Sequence, residues 1–140
     1  MPKINLSLVI ASYNGYNNIK KLLKSIIQFK YLPNEIIIIC YEKQFNKYLH
    51  SIKPFKTQLS IKLFKSNIKN QIYQRQIGLR KSKMKYIMQI DDDLTFNKDT
   101  FKLINFEMNK NHFKTVLSAN LKNSHGNSAD IRWVNNYKKH

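Results

Sequence analysis

Two short runs of almost continuous apolar residues limit the folds that this chain can adopt. Residues 35–40 include four consecutive isoleucines, and residues 6–11 are apolar at every position except Ser7. β-Branched residues favour strands, and strands without alternating polar positions are typical of parallel sheets that are covered on both faces. We therefore predict two buried parallel strands, as found in α/β proteins.

The segment between these strands has the periodicity of a helix. Its apolar residues recur with the i, i+3, i+4 spacing of one buried face: Ile19, Leu22, Leu23, Ile26 and Ile27. Asn17 or Asn18 can cap this helix, and Pro33 with Asn34 breaks it before the second strand. A strand, a helix and a strand in this order imply a right-handed crossover.

The rest of the chain continues the same alternation. We expect a short helix over residues 45–51, strands over residues 59–64, 86–90 and 115–119, a helix that begins at Asn70, and a helix over residues 101–108 with Asp99 as its N-cap. No internal repeat or interdomain linker is present in the sequence. The sequence therefore predicts one α/β domain over residues 1–140, built around a mainly parallel sheet.

Asp91, Asp92 and Asp93 follow the strand expected over residues 86–90 and are three of only eight acidic residues. Adjacent ionised carboxylates disfavour one another's charge, so the run gains nothing for folding by itself. A divalent cation reverses that cost, and hard oxygen ligands select Mg²⁺ or Mn²⁺. If strand geometry continues through Asp92, then Asp91 and Asp93 point to one side. We therefore predict metal contacts from Asp91 and Asp93, with a solvated acidic turn as the alternative.

The chain is strongly basic, with a formal net charge of +17 over 140 residues. Such a balance is typical of proteins that bind nucleic acid or anionic membranes. However, arginine, which best makes bidentate contacts with bases and phosphates, is rare among the basic residues of this sequence. We therefore expect no nucleic-acid partner, while the positive surface would help to attract a nucleotide diphosphate or anionic lipid headgroups.

Other sequence features restrict the cellular location of the protein and the classes of reaction that it can catalyse. No apolar stretch approaches the roughly 20 residues that a bilayer span needs, and the N-terminus lacks the organisation of a signal peptide. A single cysteine, Cys40, is compatible with a reducing compartment. We expect a cytoplasmic protein that contacts, at most, the inner face of the cell membrane. The absence of a phosphate-binding loop and of a dinucleotide fingerprint argues against an NTPase or a nicotinamide-dependent enzyme.

Several of these segments together resemble the nucleotide-sugar-binding half of the family 2 glycosyltransferases, which have the GT-A fold. Residues 8–14, Leu-Val-Ile-Ala-Ser-Tyr-Asn, resemble that family's first strand and the turn that lies against the nucleoside. Residues 75–79 and 86–93 resemble its arginine-containing helix and its strand ending in Asp-x-Asp. The resemblance covers about residues 4–115. It implies a Rossmann-like three-layer α/β/α sandwich, shortened at its C-terminus after about residue 120.

The resemblance also implies roles for particular residues. It implies contacts with the donor nucleotide from Ala11, Ser12, Tyr13, Asn14, Arg75 and Asp92, in addition to the metal contacts of Asp91 and Asp93. The family's second strand normally ends in an aspartate that contacts the base, whereas this chain has Cys40 and Tyr41 there. Glu42 either substitutes for that aspartate or lies in a surface loop.

The resemblance implies a metal-assisted, inverting transfer of a sugar from a nucleoside diphosphate, most simply UDP, to an acceptor hydroxyl. The acceptor would be a saccharide or a lipid-linked molecule, as in the synthesis of cell-envelope polysaccharides. An inverting transfer needs a general base, which in this family comes well after the Asp-x-Asp site. In this chain Asp130 is the one late candidate.

Several interpretations stay open for so short a chain. It is a minimal enzyme, a fragment whose remainder is encoded separately, or a protein that binds nucleotide sugars without transferring them. A different class of interpretation is a basic binding module, either for nucleic acid or as a non-catalytic partner of a complete transferase. Metal-dependent nucleotide binding that requires Asp91 and Asp93 would favour the transferase-like interpretations over a nucleic-acid binder.

Overall fold

The structure is a computed structural model, and it describes residues 1–110. These residues comprise one compact unit, Met1–Asn109, together with the last residue of its final helix. The strand expected over residues 115–119 and the candidate base Asp130 lie outside the described residues. The prediction of a single domain over residues 1–140 stays a prediction.

Four parallel strands form the sheet within residues 1–110. They are β1 (Lys3–Ser12), β2 (Leu32–Tyr41), β3 (Ile61–Ser66) and β4 (Tyr86–Ile90). Their spatial order is β3-β2-β1-β4, and each neighbouring pair is parallel. The central strands β1 and β2 are buried along most of their length, as their continuous apolar sequence predicts. The predicted α/β class with a parallel sheet is confirmed.

Helices cover both faces of this sheet. The helices α1 (Tyr16–Ile26), α2 (Phe45–Ile52) and α4 (Thr100–Lys110) contribute side chains to the main core on one face. On the other face, α3 (Gln71–Lys81) packs Ile77 against a smaller cluster formed by Val9, Ile37 and Ile39. The arrangement is the expected three-layer sandwich. In the part of the chain that the structure describes, no helix has the length and apolar character needed to cross a membrane.

The helix α3 lies very close to the sheet at Gly78. A Cβ atom at this position would lie 2.3 Å from Val9 Cγ1 and 2.8 Å from Ile39 Cδ1, closer than real side chains approach. Glycine is therefore required for this packing distance. Gln74 is one helical turn nearer to the start of α3 and lies on the same face. The close packing thus brings the polar first turns of α3 to the carboxyl end of β1, beside the aspartates that follow β4.

The start of α1 differs from the prediction. The helix follows Gly15, which occupies the N-cap position, and neither Asn17 nor Asn18 caps it. The chain turns earlier than expected because Asn14 has a left-handed conformation with φ of 57°. Asparagine tolerates this conformation better than most residues, so the turn closes immediately after β1. By contrast, Asn70 caps α3 as predicted, because its side-chain oxygen accepts the Tyr73 N–H at 3.0 Å.

Several strand boundaries also differ from the prediction. The second strand includes Pro33, which pairs with Ile4 at the beginning of the strand, before the register shifts. Proline is tolerated there because the ladder of strand hydrogen bonds is not yet continuous. The third strand begins at Ile61, two residues later than expected. Leu59 instead belongs to the preceding turn, where its N–H donates to the Phe55 carbonyl at 2.9 Å.

A buried carboxylate connects three strands near their amino ends. Glu35 is 2% exposed and accepts hydrogen bonds from Ser7 Oγ at 2.6 Å and Lys83 N–H at 2.7 Å, and it forms an ion pair with Lys62. Burial raises the pKa of Glu35, but the hydrogen bonds from Lys62, Ser7 and Lys83 outweigh burial. The pKa of Glu35 therefore lies below its ordinary value, and the ionised carboxylate stabilises the folded chain.

Candidate functional site

A cleft of about 250 Å³ opens where β1 and β4 end. It is lined by Ala11, Tyr13, Gln71, Gln74, Asp91, Asp92 and Asp93. Ligands of parallel α/β sheets bind at the carboxyl ends of the strands, and this cleft lies at that edge. The structure therefore brings together Ala11, Tyr13 and the three aspartates that the sequence singled out, and adds two glutamines of α3.

Asp91 is held by two side chains from α3. Its Oδ1 atom accepts hydrogen bonds from Arg75 Nη2 at 2.5 Å and from Gln71 Nε2 at 2.8 Å. The Arg75 side chain is 35% exposed and that of Asp91 is 50% exposed, so this ion pair adds only about 0–1 kcal/mol of stability. Its main effect is to orient Asp91. Arg75, for which a nucleotide contact was expected, is paired with Asp91 in this arrangement.

Asp92 joins a buried chain of hydroxyl groups beneath the cleft. Ser12 Oγ donates to Asp92 Oδ2 and lies 2.6 Å from the hydroxyl oxygen of Tyr48. That hydroxyl also accepts the Gly15 N–H at 2.9 Å. Burial raises the pKa of Tyr48, so its hydroxyl stays protonated and can donate to Ser12. Ser12 is therefore a support for Asp92 and links the cleft to the buried face of α2.

Gly15 provides the space for Asp92. A Cβ atom on Gly15 would lie 1.8 Å from Asp92 Oδ2 and 2.5 Å from Ser12 Oγ, so any larger residue would displace this carboxylate. The neighbouring Asn14 donates its N–H to Gln44 Oε1 at 3.0 Å and accepts a hydrogen bond from Gln44 Nε2. Asn14 thus holds the turn after β1 and does not line the cleft.

Asp93 is the most available of the three carboxylates. It is exposed, lines the cleft and bonds to no other side chain within residues 1–110. The fourth strand ends at Ile90, and Asp92 and Asp93 lie in a turn. The alternation expected for a continuing strand therefore does not apply, and all three carboxylates face one cleft.

The donor set fits a cation that binds together with a ligand. Within residues 1–110, no three acidic, histidine or cysteine side chains converge into a site that could hold a metal alone. Mg²⁺ is commonly held by one or two carboxylates, with water and substrate phosphates as the other ligands. Asp93, together with the Asp91 oxygen that Arg75 and Gln71 leave unbonded, supplies these carboxylates.

Aromatic side chains stand at the ends of β1 and β2. Tyr13 is 46% exposed, and its ring centroid lies 6.2 Å from that of Tyr41. Lys69 Nζ lies 5.4 Å from the Tyr13 centroid and 5.1 Å from the Tyr41 centroid, and such cation–π contacts help to hold the two rings in place. Since β2 and β4 flank β1 on opposite sides, Tyr41 and the aspartates lie on opposite sides of β1.

The end of β2 does not supply a carboxylate to the cleft. Cys40 is buried in the main core, and burial raises the pKa of its thiol to about 11, so the thiol stays protonated. Glu42 is exposed in the 3₁₀ turn Glu42–Gln44 and does not line the cleft. A base contact from Glu42 therefore gains no support from the arrangement of the described residues.

Among the residues that contribute here, the sequence did not single out Gln71, Gln74, Tyr48 or Lys69. The two glutamines could have been found, because with Arg75 and Gly78 they follow the i, i+3, i+4, i+7 spacing of one helix face. A polar stripe that ends at a glycine indicates a face that approaches a sheet edge. Tyr48 and Lys69 have no such signal, since their roles depend on how distant segments meet.

The fold and the cleft define an α/β protein of the GT-A type, with a polar site at the strand ends. The model of the family described as Glycosyl transferase family 2 matches residues 7–137. The chain therefore belongs to glycosyltransferase family 2, as the resemblance of its motifs predicts. No protein among the curated ones matches the chain.

Solved structures show the same fold. TarS 1–349 of S. aureus has a TM-score of 0.68 at 18% identity, over 78% of this chain and 33% of that chain. The same protein in complex with UDP-GlcNAc has a TM-score of 0.62 at 19% identity, over 78% and 32% of the two chains. The mannosyltransferase PcManGT from Pyrobaculum calidifontis, in complex with GDP-Man and Mn²⁺, has a TM-score of 0.60 at 17% identity, over 72% and 30%. The chain thus spans about a third of the length of each of these structures.

Proposed function

We propose that this chain binds a nucleoside-diphosphate sugar together with Mn²⁺ or Mg²⁺, as the donor-binding part of an inverting hexosyltransferase. The observation that carries this proposal is the cleft that collects Tyr13 and three aspartates at the ends of β1 and β4. UDP is the expected nucleotide, and support comes from the family and from a fold neighbour that binds UDP-GlcNAc. The acceptor would be a saccharide or a lipid-linked molecule.

Each carboxylate has its own part in this proposal. Asp93 and the unbonded oxygen of Asp91 would hold the cation, and Arg75 and Gln71 keep Asp91 in position for it. Asp92 is fixed by Ser12, which keeps a third negative charge beside the cleft. A bound divalent cation supplies positive charge that offsets the charge developing on the diphosphate leaving group. The exposed ring of Tyr13 offers a face on which a base can stack.

The transfer step needs groups beyond the cleft. A general base must take the proton of the acceptor hydroxyl, and Asp130 stays the candidate for that role. The net charge of +17 would favour contact with the anionic inner surface of a cell membrane, where lipid-linked acceptors are found.

The proposal is tested by calorimetric titration of the chain with UDP and GDP, each with and without Mn²⁺. We expect UDP to bind only with Mn²⁺, and Asp93→Asn to weaken binding by about tenfold or more, because a contact with a charged group is worth about 1.5–3 kcal/mol. Asp99→Asn is the matched control, because Asp99 is an exposed aspartate that does not line the cleft.

Two results would contradict parts of the proposal. If Asp93→Asn binds UDP as the wild type does, Asp93 does not hold the cation. If the wild type binds no nucleotide but binds DNA with a steep salt dependence, the chain is a basic binding module. Release of UDP from a UDP-sugar by the wild type would support transferase activity, whereas binding without release would favour a non-catalytic partner.

A further inference from the structure

Gln74 is a buried polar residue whose hydrogen-bonding capacity the described fold does not use. Its side chain is only 1% exposed, and its Nε2 atom has no hydrogen-bond partner within residues 1–110. Nearly all buried polar groups in proteins are paired, because an unpaired donor loses its bonds to water and gains none in return. The amide of Gln74 therefore needs a hydrogen-bond partner that is not part of the described fold.

The position of Gln74 indicates where that partner would lie. Gly78, one turn further along α3, packs directly on Val9 and Ile39 of the two central strands. Gln74 lies on the same face of α3 but nearer to the strand ends, where it lines the cleft together with Ala11, Tyr13, Gln71 and the three aspartates.

Gln74 is also not needed to hold the aspartates. Asp91 accepts its hydrogen bonds from Gln71 and Arg75, and Asp92 accepts its hydrogen bond from Ser12. The acidic side of the cleft is therefore organised without Gln74. Its amide is therefore available to a ligand in the cleft, which Tyr13 also lines.

The chemistry of an amide favours one part of a nucleotide. A primary amide presents donors and an acceptor in a single plane, and it pairs with the donor and acceptor pattern on the edge of a base. Phosphate oxygens are instead bound most strongly by cationic groups and metal ions. The ring of Tyr13 is exposed and lines the same cleft, and aromatic side chains stack on the faces of bases.

We propose that Gln74 is the residue that reads the edge of the donor base while Tyr13 covers its face. This inference rests on the proposed function and deepens it, because it assigns base recognition to α3. The end of β2, where Cys40 is buried and Glu42 lies away from the cleft, supplies no carboxylate for that purpose. Rotation of the terminal amide presents either its nitrogen or its oxygen, so Gln74 can donate to a carbonyl or accept from a ring N–H of the base.

The test compares two ligands that differ in the nucleoside, UDP and pyrophosphate, each titrated in the presence of Mn²⁺. Gln74→Met keeps the length of the side chain and removes both polar atoms. We expect it to weaken UDP binding about three- to tenfold, the effect of losing one hydrogen bond, and to leave pyrophosphate binding unchanged. Gln76→Met is the matched control, since Gln76 is exposed on the same helix and should change neither affinity. Gln74→Leu replaces Gln74→Met if the latter does not fold.

The possible failures are distinguishable. If Gln74→Met leaves UDP binding unchanged, or weakens UDP and pyrophosphate equally, Gln74 does not read the base and the inference is refuted. If the wild type binds pyrophosphate with Mn²⁺ as tightly as UDP, the nucleoside makes no contact and the inference also fails, although the metal site stands. If the wild type binds neither ligand, the proposed function itself is wrong.

Discussion

Replacement of Tyr48 by phenylalanine is expected to lower the free energy of unfolding by about 2–3 kcal/mol. The hydroxyl makes two buried hydrogen bonds, to Ser12 Oγ at 2.6 Å and to the Gly15 N–H at 2.9 Å, and each is worth about 1 kcal/mol net. Without the hydroxyl, the Gly15 N–H stays buried and unpaired, which costs about 1 kcal/mol more. The aromatic ring is retained with its edge-to-face contact to Tyr16, so core packing should contribute little to the change.

The measurement is urea unfolding followed by circular dichroism. With a slope of about 1–3 kcal/mol per molar urea, the expected loss shifts the midpoint downwards by about 0.7–3 M with an unchanged slope. Tyr73→Phe is the matched control, because Tyr73 is exposed on α3 and its replacement should change stability by less than about 0.5 kcal/mol.

Equal midpoints for Tyr48→Phe and Tyr73→Phe would refute this reasoning. A second check uses Ser12→Ala as the background, where one of the two hydrogen bonds is already absent. Tyr48→Phe should then lower the free energy of unfolding by less than it does in the wild type, because the effects of substitutions within one hydrogen-bond network are not additive. Full additivity of the two substitutions would mean that the hydroxyl chain contributes no coupling.

Two further predictions concern the frame around the site. Gly78→Ala should destabilise the chain by about 1–2 kcal/mol in urea unfolding. Crowding against Val9 and Ile39 costs about 1–3 kcal/mol, which exceeds the helix-propensity gain of up to about 1 kcal/mol. Unchanged stability would mean that α3 can move away from the sheet freely. Glu35→Gln should remove part of the pH dependence of stability. The pKa of Glu35 is lowered in the folded chain, so its carboxylate stabilises the fold above the unfolded-state value of about 4.3, and this contribution is lost as the pH falls through the folded-state pKa. Unfolding at pH 6 and pH 3.5 should therefore show a stability difference between wild type and Glu35→Gln that shrinks at the lower pH, and a constant difference would contradict the role of Glu35.

The fold could be predicted from the sequence because the apolar composition of its strands indicates that they are buried. The isoleucines of β2 need cover on both faces, and the helical periodicity before them provides it on one side. The boundaries were less predictable where distant contacts decide them. The start of α1 depends on how Asn14 pairs with Gln44, thirty positions later in the chain, and the start of β3 depends on the turn that Leu59 closes onto Phe55.

The site was predictable in its location and much less in its internal bonds. The aspartates could be placed at the edge of the sheet because they directly follow an apolar strand. The pairing of Arg75 with Asp91 and of Ser12 with Asp92 could not be predicted, because α3, β1 and β4 meet only in the folded chain. The unpaired amide of Gln74 is likewise visible only when its burial and its surroundings are known together.

Three identical neighbours in the sequence occupy three different environments in the fold. Asp91 faces a guanidinium group, Asp92 lies against a hydroxyl in the space left by Gly15, and Asp93 faces solvent. A chain with one of these residues deleted would still contain Asp-Asp at the end of β4, yet Leu94 would shift into the third place and the exposed carboxylate would be lost. The motif therefore has a register, and an alignment that counts aspartates without fixing their positions would match the wrong carboxylate to each role.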